Sequence, residues 1–340
     1  MAKKIFKEKL KYGENPWQPG AMFVYTETDD PLAMQKFIRI EGTERSAINL
    51  LDTNRMVQNI THIVAGMEVN KIKDSSKVAV AVKHGNACGA AVGSDAAEVI
   101  KNLISGDPLA VFGGSMMVNF PINEELAELM ITFKANGGRR ILDNIVCPGF
   151  TKGAIELLKR KKDKCRFVVN KALAKLSKKS LDMSPNRKDI RGGYIIQPNF
   201  TYILDFDDPD LKIYGKISEA QKKDIILAWA IGTTSNSNTI SIVKGFLLGN
   251  GVGQQDRVGA ADLAIYRAKR SGHDLNGAVA YSDSFFPFTD GPETLMKAGI
   301  KVILTSSGSV ADEKVIESCR AQNATLLMIP DVKARGFFGH

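Results

Sequence analysis

Residues 78–89 are VAVAVKHGNACG, an apolar run that stops at Lys83 and His84 and continues into a loop bounded by glycines. The alternating Val and Ala predict a strand inside a sheet. A helix is predicted soon after, because Ser94 and Asp95 precede the sequence Ala-Ala-Glu-Val-Ile. Lys83 and His84 should therefore lie at the carboxyl end of a strand, the edge at which open α/β sheets bind ligands.

The Lys83-His84 pair suits proton transfer, because an imidazole accepts protons near neutral pH and an adjacent ammonium stabilises negative charge. An isolated pair of this kind more often caps a strand and packs in a turn. Other segments of the chain have to decide between these two interpretations.

Strand and helix patterns alternate through two regions of the 340-residue chain. In the first region, helices are predicted at about 48–64, 96–104 and 124–134, and extended segments before 83 and near 111–118 and 141–146. The second region repeats the alternation, with helices near 220–231 and 260–269. We predict an α/β protein with a first lobe at 1–165, a lysine-rich bridging segment at 166–195 and a second lobe at 196–340.

The composition is that of a globular enzyme rather than a membrane protein. A hydrophobic content of 44% is enough for a large core. No apolar run approaches the roughly 18 residues that span a bilayer, and the opening MAKKIFK lacks the apolar core of a secretory signal. We expect a cytoplasmic protein with no membrane partner.

The net charge of +9 raises the possibility of nucleic-acid binding. Much of the excess lies at 159–164 and 171–179, beside helical patterns where such residues usually form a solvated face. No aromatic platform or known nucleic-acid motif accompanies them. The charge suits small anionic substrates, which a positive cleft attracts, so no nucleic-acid partner is expected.

A metal centre is not indicated by the sequence. The cysteines are scattered singly, at Cys88, Cys147, Cys165 and Cys319, and the four histidines are equally dispersed. A zinc deaminase would need His-x-Glu and Pro-Cys-x-x-Cys, and neither motif occurs in the sequence.

Several sequence blocks match one enzyme family in order along the chain. They are Lys11-Tyr12-Gly13-Glu14-Asn15-Pro16, Ile48-Asn49-Leu50-Leu51-Asp52, Lys83-His84-Gly85-Asn86, residues 107–114 (DPLAVFGG), Arg191-Gly192-Gly193, Ser237-Asn238, residues 251–257 (GVGQQDR) and residues 282–288 (SDSFFPF). In these blocks the chain resembles the AICAR formyltransferase (transformylase) portion of the bifunctional purine-biosynthesis family that also carries IMP cyclohydrolase. The resemblance implies two duplicated, cytidine-deaminase-like α/β lobes.

The resemblance also implies a reaction: transfer of a formyl group from 10-formyltetrahydrofolate to the aromatic amine of AICAR. It assigns Lys83 and His84 to proton transfer and charge stabilisation, in agreement with their chemistry. Asn238 matches the family's active-site asparagine, whose amide donates to a developing oxyanion. Asn236 competes for this role because the Ser-Asn pair occurs twice, and an asparagine closing a turn is the structural alternative.

Further residues match family positions that contact ligands. Positions that contact the AICAR nucleotide are Tyr12, Asn49, Gly113, Asp143, Arg257 and Phe285, together with Lys11 and Arg335. Positions that line the folate pocket are Leu109, Val258, Pro287 and Asp290. The loop containing Thr234, Ser235 and Ser237 resembles the family's monovalent-cation site, which implies a potassium ion. The family also implies a homodimer with shared active sites.

Two departures from the family pattern concern phosphate binding. Lys11 stands where the family usually has arginine, which exchanges a bidentate fork for a point charge. Arg335 falls one position early when the final histidines are aligned.

The sequence also leaves open what the whole protein does. No block resembling the cyclohydrolase domain precedes the match, so we expect a chain without an IMP cyclohydrolase domain. Two alternatives remain: a catalytically impaired homologue that binds AICAR or another nucleotide, and a basic RNA-binding protein.

Overall fold

The computed structural model describes residues 4–135 and 137–339. Its chain divides into two compact units. Unit 1 comprises Met1–Ile60, Asp74–Leu176 and Gly245–Leu248, and unit 2 comprises Thr61–Lys73, Ser177–Lys244 and Gly249–His340. Residues 166–176 of the predicted bridging segment therefore belong to unit 1 and residues 177–195 to unit 2. The boundaries at 165 and 195 stay a prediction about folding domains.

Unit 1 is built on a mixed sheet. Its strands within the described residues are β1 (Ile5–Lys9), β2 (Met22–Thr26), β3 (Ile38–Glu41), β4 (Lys77–Lys83), β5 (Asn86–Gly93), β6 (Ser115–Val118), β7 (Asn144–Cys147) and β8 (Arg166–Val169). β1 and β2 form a separate hairpin, and the other six follow the order β5-β4-β6-β7-β8-β3. β4 is antiparallel to β5 and β6, whereas β6, β7 and β8 are parallel.

Helices cover this sheet because their apolar faces need burial. They are α1 (Ala47–Val69), α2 (Ala96–Gly106), α3 (Pro108–Val111), α4 (Glu124–Thr132) and α5 (Lys152–Leu158). Residues 61–69 of α1 are counted with unit 2. Asp95 caps α2 by accepting a hydrogen bond from the Glu98 amide at 2.7 Å, and Val99, Ile100, Leu103 and Ile104 of this helix are buried in the core. The predicted helices near 48, 96 and 124 are thus confirmed.

Unit 2 repeats the plan. Its strands within the described residues are β9 (Asn186–Ile190), β10 (Gly193–Gln197), β11 (Lys212–Tyr214), β12 (Ile240–Lys244), β13 (Phe246–Gly251), β14 (Val279–Ser282), β15 (Val302–Ser307) and β16 (Thr325–Pro330). Residues 246–248 of β13 are counted with unit 1. β9 and β10 form a hairpin, and the others follow the order β11-β16-β15-β14-β12-β13. β14, β15 and β16 are parallel, and β12 is antiparallel to β14.

The helices of unit 2 are α6 (Glu219–Thr233), α7 (Arg257–Arg270), α8 (Asp290–Lys297), α9 (Asp312–Ala321) and α10 (Asp331–Ala334). Short 3₁₀ helices occur at Met34–Lys36, Lys161–Asp163, Lys171–Lys175 and Lys178–Ser180. The predicted α/β class with two similar lobes is confirmed. Within the described residues, no helix combines the length and the apolar character needed to cross a membrane.

Candidate active site

The Lys83-His84 pair lies at a tight hairpin turn. β4 ends at Lys83, β5 begins at Asn86, and His84 and Gly85 form the turn between them. Both turn residues have positive φ, 52° at His84 and 74° at Gly85, as a type I′ turn requires. The predicted strand end is correct, but the segment that follows is a second strand rather than a loop leading to a helix.

A β-bulge lies just before this turn. Ala81 is opposite Gly89 and Val82 is opposite Ala87, so Cys88 is the extra residue on β5. Bulges increase the local twist and redirect neighbouring side chains. The bulge therefore helps to set the direction in which the Lys83-His84 turn leaves the sheet.

The turn borders a pocket of about 370 Å³ within unit 1. This pocket brings together most of the unit 1 residues that the resemblance selects: Lys11, Tyr12, Asn49, Lys83, His84, Gly113 and Asp143. Polar residues without a predicted role also line it: Thr43, Ser46, Asp52, Ser115, Arg160, Lys164 and Arg166. These side chains come from segments far apart in the sequence, so the fold assembles the pocket.

The pocket lies at an edge where strand ends of both kinds meet. β4 contributes its carboxyl end through Lys83, whereas Ser115 and Arg166 are the first residues of β6 and β8, and Asp143 directly precedes β7. The expected carboxyl edge is therefore correct for β4 alone. The three parallel strands present their amino ends because β4 runs antiparallel to β6.

Asn49 is oriented by neighbours at the start of α1. Its Oδ1 accepts hydrogen bonds from the amide and the hydroxyl of Ser46, both at 2.9 Å. The Thr53 hydroxyl donates to the Asn49 carbonyl at 2.7 Å, and Asn144 Nδ2 donates to that hydroxyl at 3.1 Å. Because Ser46 occupies Oδ1, the Nδ2 group of Asn49 is the part suited to donate to a ligand.

Asp52, on α1, holds the Lys83-His84 turn by a hydrogen bond. Its Oδ1 accepts a hydrogen bond from the Gly85 amide at 2.9 Å, and its Oδ2 accepts one from the Ser115 hydroxyl at 3.0 Å. Burial raises the pKa of Asp52 above its ordinary value, although these hydrogen bonds and the nearby His84 oppose the shift. Asp52 stands in the matching block at 48–52, but nothing in the sequence links it to a turn more than thirty residues away.

Lys83 lies next to Gly113, the glycine predicted to contact the nucleotide, in the wall of the pocket. Its Nζ donates to the Phe112 carbonyl at 2.8 Å, directly before Gly113, whose φ of 71° favours glycine. Asp143 is positioned by its amide, which donates to the Gly114 carbonyl at 3.0 Å, and its carboxylate forms an ion pair with Arg160.

Asn238 and Arg257 lie in unit 2. Asn238 Nδ2 donates to the Gln254 carbonyl at 2.9 Å, and the Ser237-Asn238 peptide bond is cis. Arg257 begins α7 and forms a buried ion pair with Asp283, the residue that follows β14. The second carboxylate oxygen of Asp283 is buried and has no hydrogen-bond partner among the described residues.

The remaining predicted ligand residues differ in exposure. In unit 2, Phe285 and Val258 are half-buried, while Pro287 and Asp290 are exposed. In unit 1, the side chain of Leu109 on α3 is exposed. Leu109 and the unit 2 residues are not among those that line the unit 1 pocket.

The C-terminal segment positions Arg335 in unit 2. Its guanidinium lies 3.5 Å from the Asp331 carboxylate and 5.5 Å from the centre of the Phe337 ring. The Phe338 amide donates to the Ser235 carbonyl at 2.8 Å, so this segment packs on the predicted cation loop. His340, used above to align the tail, lies outside the described residues.

The hydroxyls of the predicted cation loop are oriented by helix α6. Thr234 Oγ1 donates to the Ala230 carbonyl at 2.6 Å, and Ser235 Oγ donates to the Ile231 carbonyl at 2.7 Å. Ser237 is half-buried. Within the described residues, no group of three or more His, Cys, Asp or Glu side chains is arranged to hold a metal ion.

The chain is 33% identical over 316 residues to the bifunctional purine biosynthesis protein PurH of Anoxybacillus flavithermus, covering 92% of this chain and 56% of the relative. It is 33% identical over 324 residues to the protein of the same name from Staphylococcus carnosus, covering 95% and 60%. The chain thus spans little more than half the length of these relatives.

Among solved structures, a diaminohydroxyphosphoribosylaminopyrimidine deaminase/5-amino-6-(5-phosphoribosylamino)uracil reductase from Thermotoga maritima is 20% identical, with a TM-score of 0.21 over 28% of this chain and 31% of its own. A similarity this small supports no conclusion. The model of the AICARFT/IMPCHase bienzyme family matches residues 2–267. The chain therefore belongs to the AICARFT/IMPCHase bienzyme family.

Proposed function

We propose that this chain transfers the formyl group of 10-formyltetrahydrofolate to the amine of AICAR, giving formyl-AICAR and tetrahydrofolate in purine biosynthesis. The observation that carries the proposal is the unit 1 pocket, in which Lys83 and His84 meet Tyr12, Asn49 and Asp143. A strand-capping role for the Lys-His pair would not require a pocket lined by nucleotide-contact candidates.

The proposed chemistry begins with proton removal. The AICAR amine is a weak nucleophile because its lone pair is delocalised into the ring and carboxamide. His84, held in the turn at positive φ, accepts the amine proton as the nitrogen attacks the formyl carbon. Lys83 stabilises the oxyanion or protonates the leaving folate nitrogen, so that a carbon–nitrogen bond forms as another breaks and the proton ends on tetrahydrofolate.

The proposed nucleotide contacts are the residues at the matching family positions. In unit 1, Asn49 donates from Nδ2, Asp143 accepts from ribose hydroxyls, and Tyr12 and Gly113 shape the wall. In unit 2, Arg257, Phe285 and Arg335 are the proposed AICAR contacts and Asn238 the proposed oxyanion donor.

The folate is proposed to bind Leu109, Val258, Pro287 and Asp290. We propose a homodimer acting in the cytoplasm, with AICAR and the folate as its small-molecule partners.

A potassium ion is proposed near Thr234, Ser235 and Ser237. Hard oxygen ligands suit alkali cations, and the Thr239 amide at the end of this loop donates to Asp283 Oδ1 at 3.2 Å. The other carboxylate oxygen of Asp283 is buried without a hydrogen-bond partner among the described residues and is the group proposed to face the ion. A bound ion would stabilise the loop that carries Asn238. Potassium should raise the Tm above that in tetramethylammonium at equal ionic strength, and Asp283→Asn should reduce the difference.

The direct test mixes purified protein with AICAR and 10-formyltetrahydrofolate and follows tetrahydrofolate release, with potassium present and absent. The product should be formyl-AICAR, which mass spectrometry separates from IMP by one water. Cyclisation is assayed separately by supplying formyl-AICAR.

Each other outcome favours a different function. Binding of AICAR without product favours a nucleotide-binding homologue. Strong, salt-sensitive binding of RNA without turnover favours a basic RNA-binding protein. If no tetrahydrofolate is released from AICAR and 10-formyltetrahydrofolate, with potassium present or absent, the proposed reaction is overturned.

A further inference from the structure

The unit 1 pocket is strongly cationic. Its wall carries five basic side chains, Lys11, Lys83, Arg160, Lys164 and Arg166, against two carboxylates, Asp52 and Asp143. A pocket with this excess of positive charge is suited to an anionic ligand group, provided that one of its cations lacks a partner in the protein.

Arg166 is a buried cation of this kind. It is 7% exposed, and its guanidinium donates only to backbone carbonyls: those of Glu44 at 3.1 Å and of Asp143 and Lys164 at 3.4 Å. No carboxylate of the described residues lies within ion-pair distance of it. Burial lowers its pKa, an effect opposed first by Asp143 and then by Tyr12. A buried charge without a counter-ion is costly, and an anionic ligand would offset that cost.

The other arginines considered for phosphate binding are already paired. Arg160 forms an ion pair with Asp143, Arg257 with Asp283 and Arg335 with Asp331. Arg140 is also buried and bound only to carbonyls, but these belong to Met130, Phe133 and Lys134 at the end of α4, where a helix carries partial negative charge.

A second unpartnered polar group lines the same wall. The Thr43 hydroxyl is buried and has no hydrogen-bond partner among the described residues. Thr43 is bonded to Glu44, whose carbonyl holds Arg166. Tyr12, which acts electrostatically on Arg166, adjoins Lys11, the residue that replaces the family's arginine.

We propose that Arg166, with the Thr43 hydroxyl, binds the 5′-phosphate of the acceptor nucleotide and supplies the planar fork that Lys11 lacks. The inference rests on the proposed function for the identity of the nucleotide. The phosphate requirement itself rests on the unpaired guanidinium, which matches phosphate oxygens bidentately.

The test compares equilibrium binding of AICAR and of its unphosphorylated riboside. Arg166→Met should weaken AICAR binding roughly 10- to 100-fold, the range for a charge-assisted hydrogen bond, and leave riboside binding unchanged. Arg166→Lys, which keeps the charge and guards against misfolding, should fall between wild type and Arg166→Met. Arg140→Met is the matched control: it removes a buried, carbonyl-bound guanidinium outside the pocket and should preserve the preference for AICAR over riboside.

The inference is overturned if the Arg166 variants lose AICAR and riboside binding equally, or lose neither. If wild type binds no AICAR, the proposed function fails. Binding of pyrophosphate then tests separately whether Arg166 forms an anion site. Pyrophosphate should then raise the Tm of wild type and of Arg140→Met but not of Arg166→Met. An equal rise in all three would exclude an anion site at Arg166.

Discussion

The two units share one strand plan but place their candidate residues at different strand ends. In each, a hairpin strand pair adjoins three parallel strands and an antiparallel edge strand: β5-β4-β6-β7-β8-β3 in unit 1 and β13-β12-β14-β15-β16-β11 in unit 2. In unit 1, Ser115 and Arg166 begin parallel strands. In unit 2, the strand equivalent to β6 is β14, and Asp283 follows its carboxyl end.

The strand order alone therefore does not determine which edge of a sheet carries a site. The residues that do so lie in the connections, where side chains vary without disturbing the core. Equivalent strand ends therefore form natural pairs for mutagenesis, one member inside the candidate site and the other outside it.

Two lysines form the sharpest such pair. Lys83 ends β4 and Lys244 ends the equivalent strand β12. Lys83 donates to a carbonyl at the pocket wall, whereas Lys244 is neutralised by Asp274 at 3.1 Å.

The largest expected effect concerns the Lys83-His84 turn. His84→Ala and Lys83→Ala should each lower kcat by at least about 100-fold, the usual scale for acid–base groups, with circular dichroism and Tm close to wild type. Lys244→Ala should retain nearly full turnover. If all three variants retain nearly full turnover, the Lys83-His84 turn has only a packing role. If all three lose turnover equally, the two strand ends do not differ in function.

Asn238 tests whether unit 2 takes part in the chemistry. Asn238→Ala should lower kcat by about 100-fold, as for loss of one oxyanion-hole donor. Asn236→Ala is the matched control and should have a much smaller effect on kcat. A larger loss for Asn236→Ala would shift the active-site register by two residues.

Lys11 should affect binding rather than chemistry. The phosphate lies far from the reacting amine, so its contacts contribute equally in the ground and transition states. Lys11→Ala should raise the KM for AICAR about fivefold, in keeping with roughly 1 kcal/mol for an exposed ionic contact, and leave kcat nearly unchanged. An unaltered KM would leave phosphate binding in unit 1 to Arg166.

Asp52 gives the smallest effect, on the pH dependence of stability. Because the pKa of Asp52 is raised in the folded state, wild type loses stability as pH rises from the ordinary carboxyl pKa, about 4, through the raised value. Asp52→Asn removes this loss. The free energy of unfolding of the variant, measured relative to that of wild type, should therefore rise as the pH increases between these two pKa values. Urea denaturation measures it, with Asp29→Asn correcting for net charge; a flat difference would contradict the prediction.

The sequence predicts the parts of the fold that follow periodic apolar patterns. The end of β4 at Lys83 and the helices α1 and α2 belong to this class. β5 is missed because NACGAAVG lacks β-branched residues except for one valine. Small residues are needed in β5 because α2 packs closely against it: a Cβ on Gly89 would lie 2.5 Å from the Leu103 carbonyl oxygen of α2.

The candidate site is predictable only where the family motif reaches. Tyr12, Asn49 and Asp143 are found by resemblance, and the structure brings them to one pocket. Thr43 and Arg166 are more than a hundred residues apart. Thr43 lies two residues after β3, and Arg166 is the first residue of β8, the antiparallel neighbour of β3. No local pattern reveals such a pair, because it depends on strand pairing across the sheet.

The bulge at Cys88 limits how the Lys83-His84 turn can be transferred to another protein. Transplanting only Lys83, His84, Gly85 and Asn86 to another hairpin would leave the bulge behind. The returning strand would then lack the one-residue offset of β5, so that its inward and outward side chains would be exchanged relative to those of β5. A graft for enzyme design must therefore carry the whole β4–β5 hairpin, whereas a library that varies only the turn keeps its framework intact.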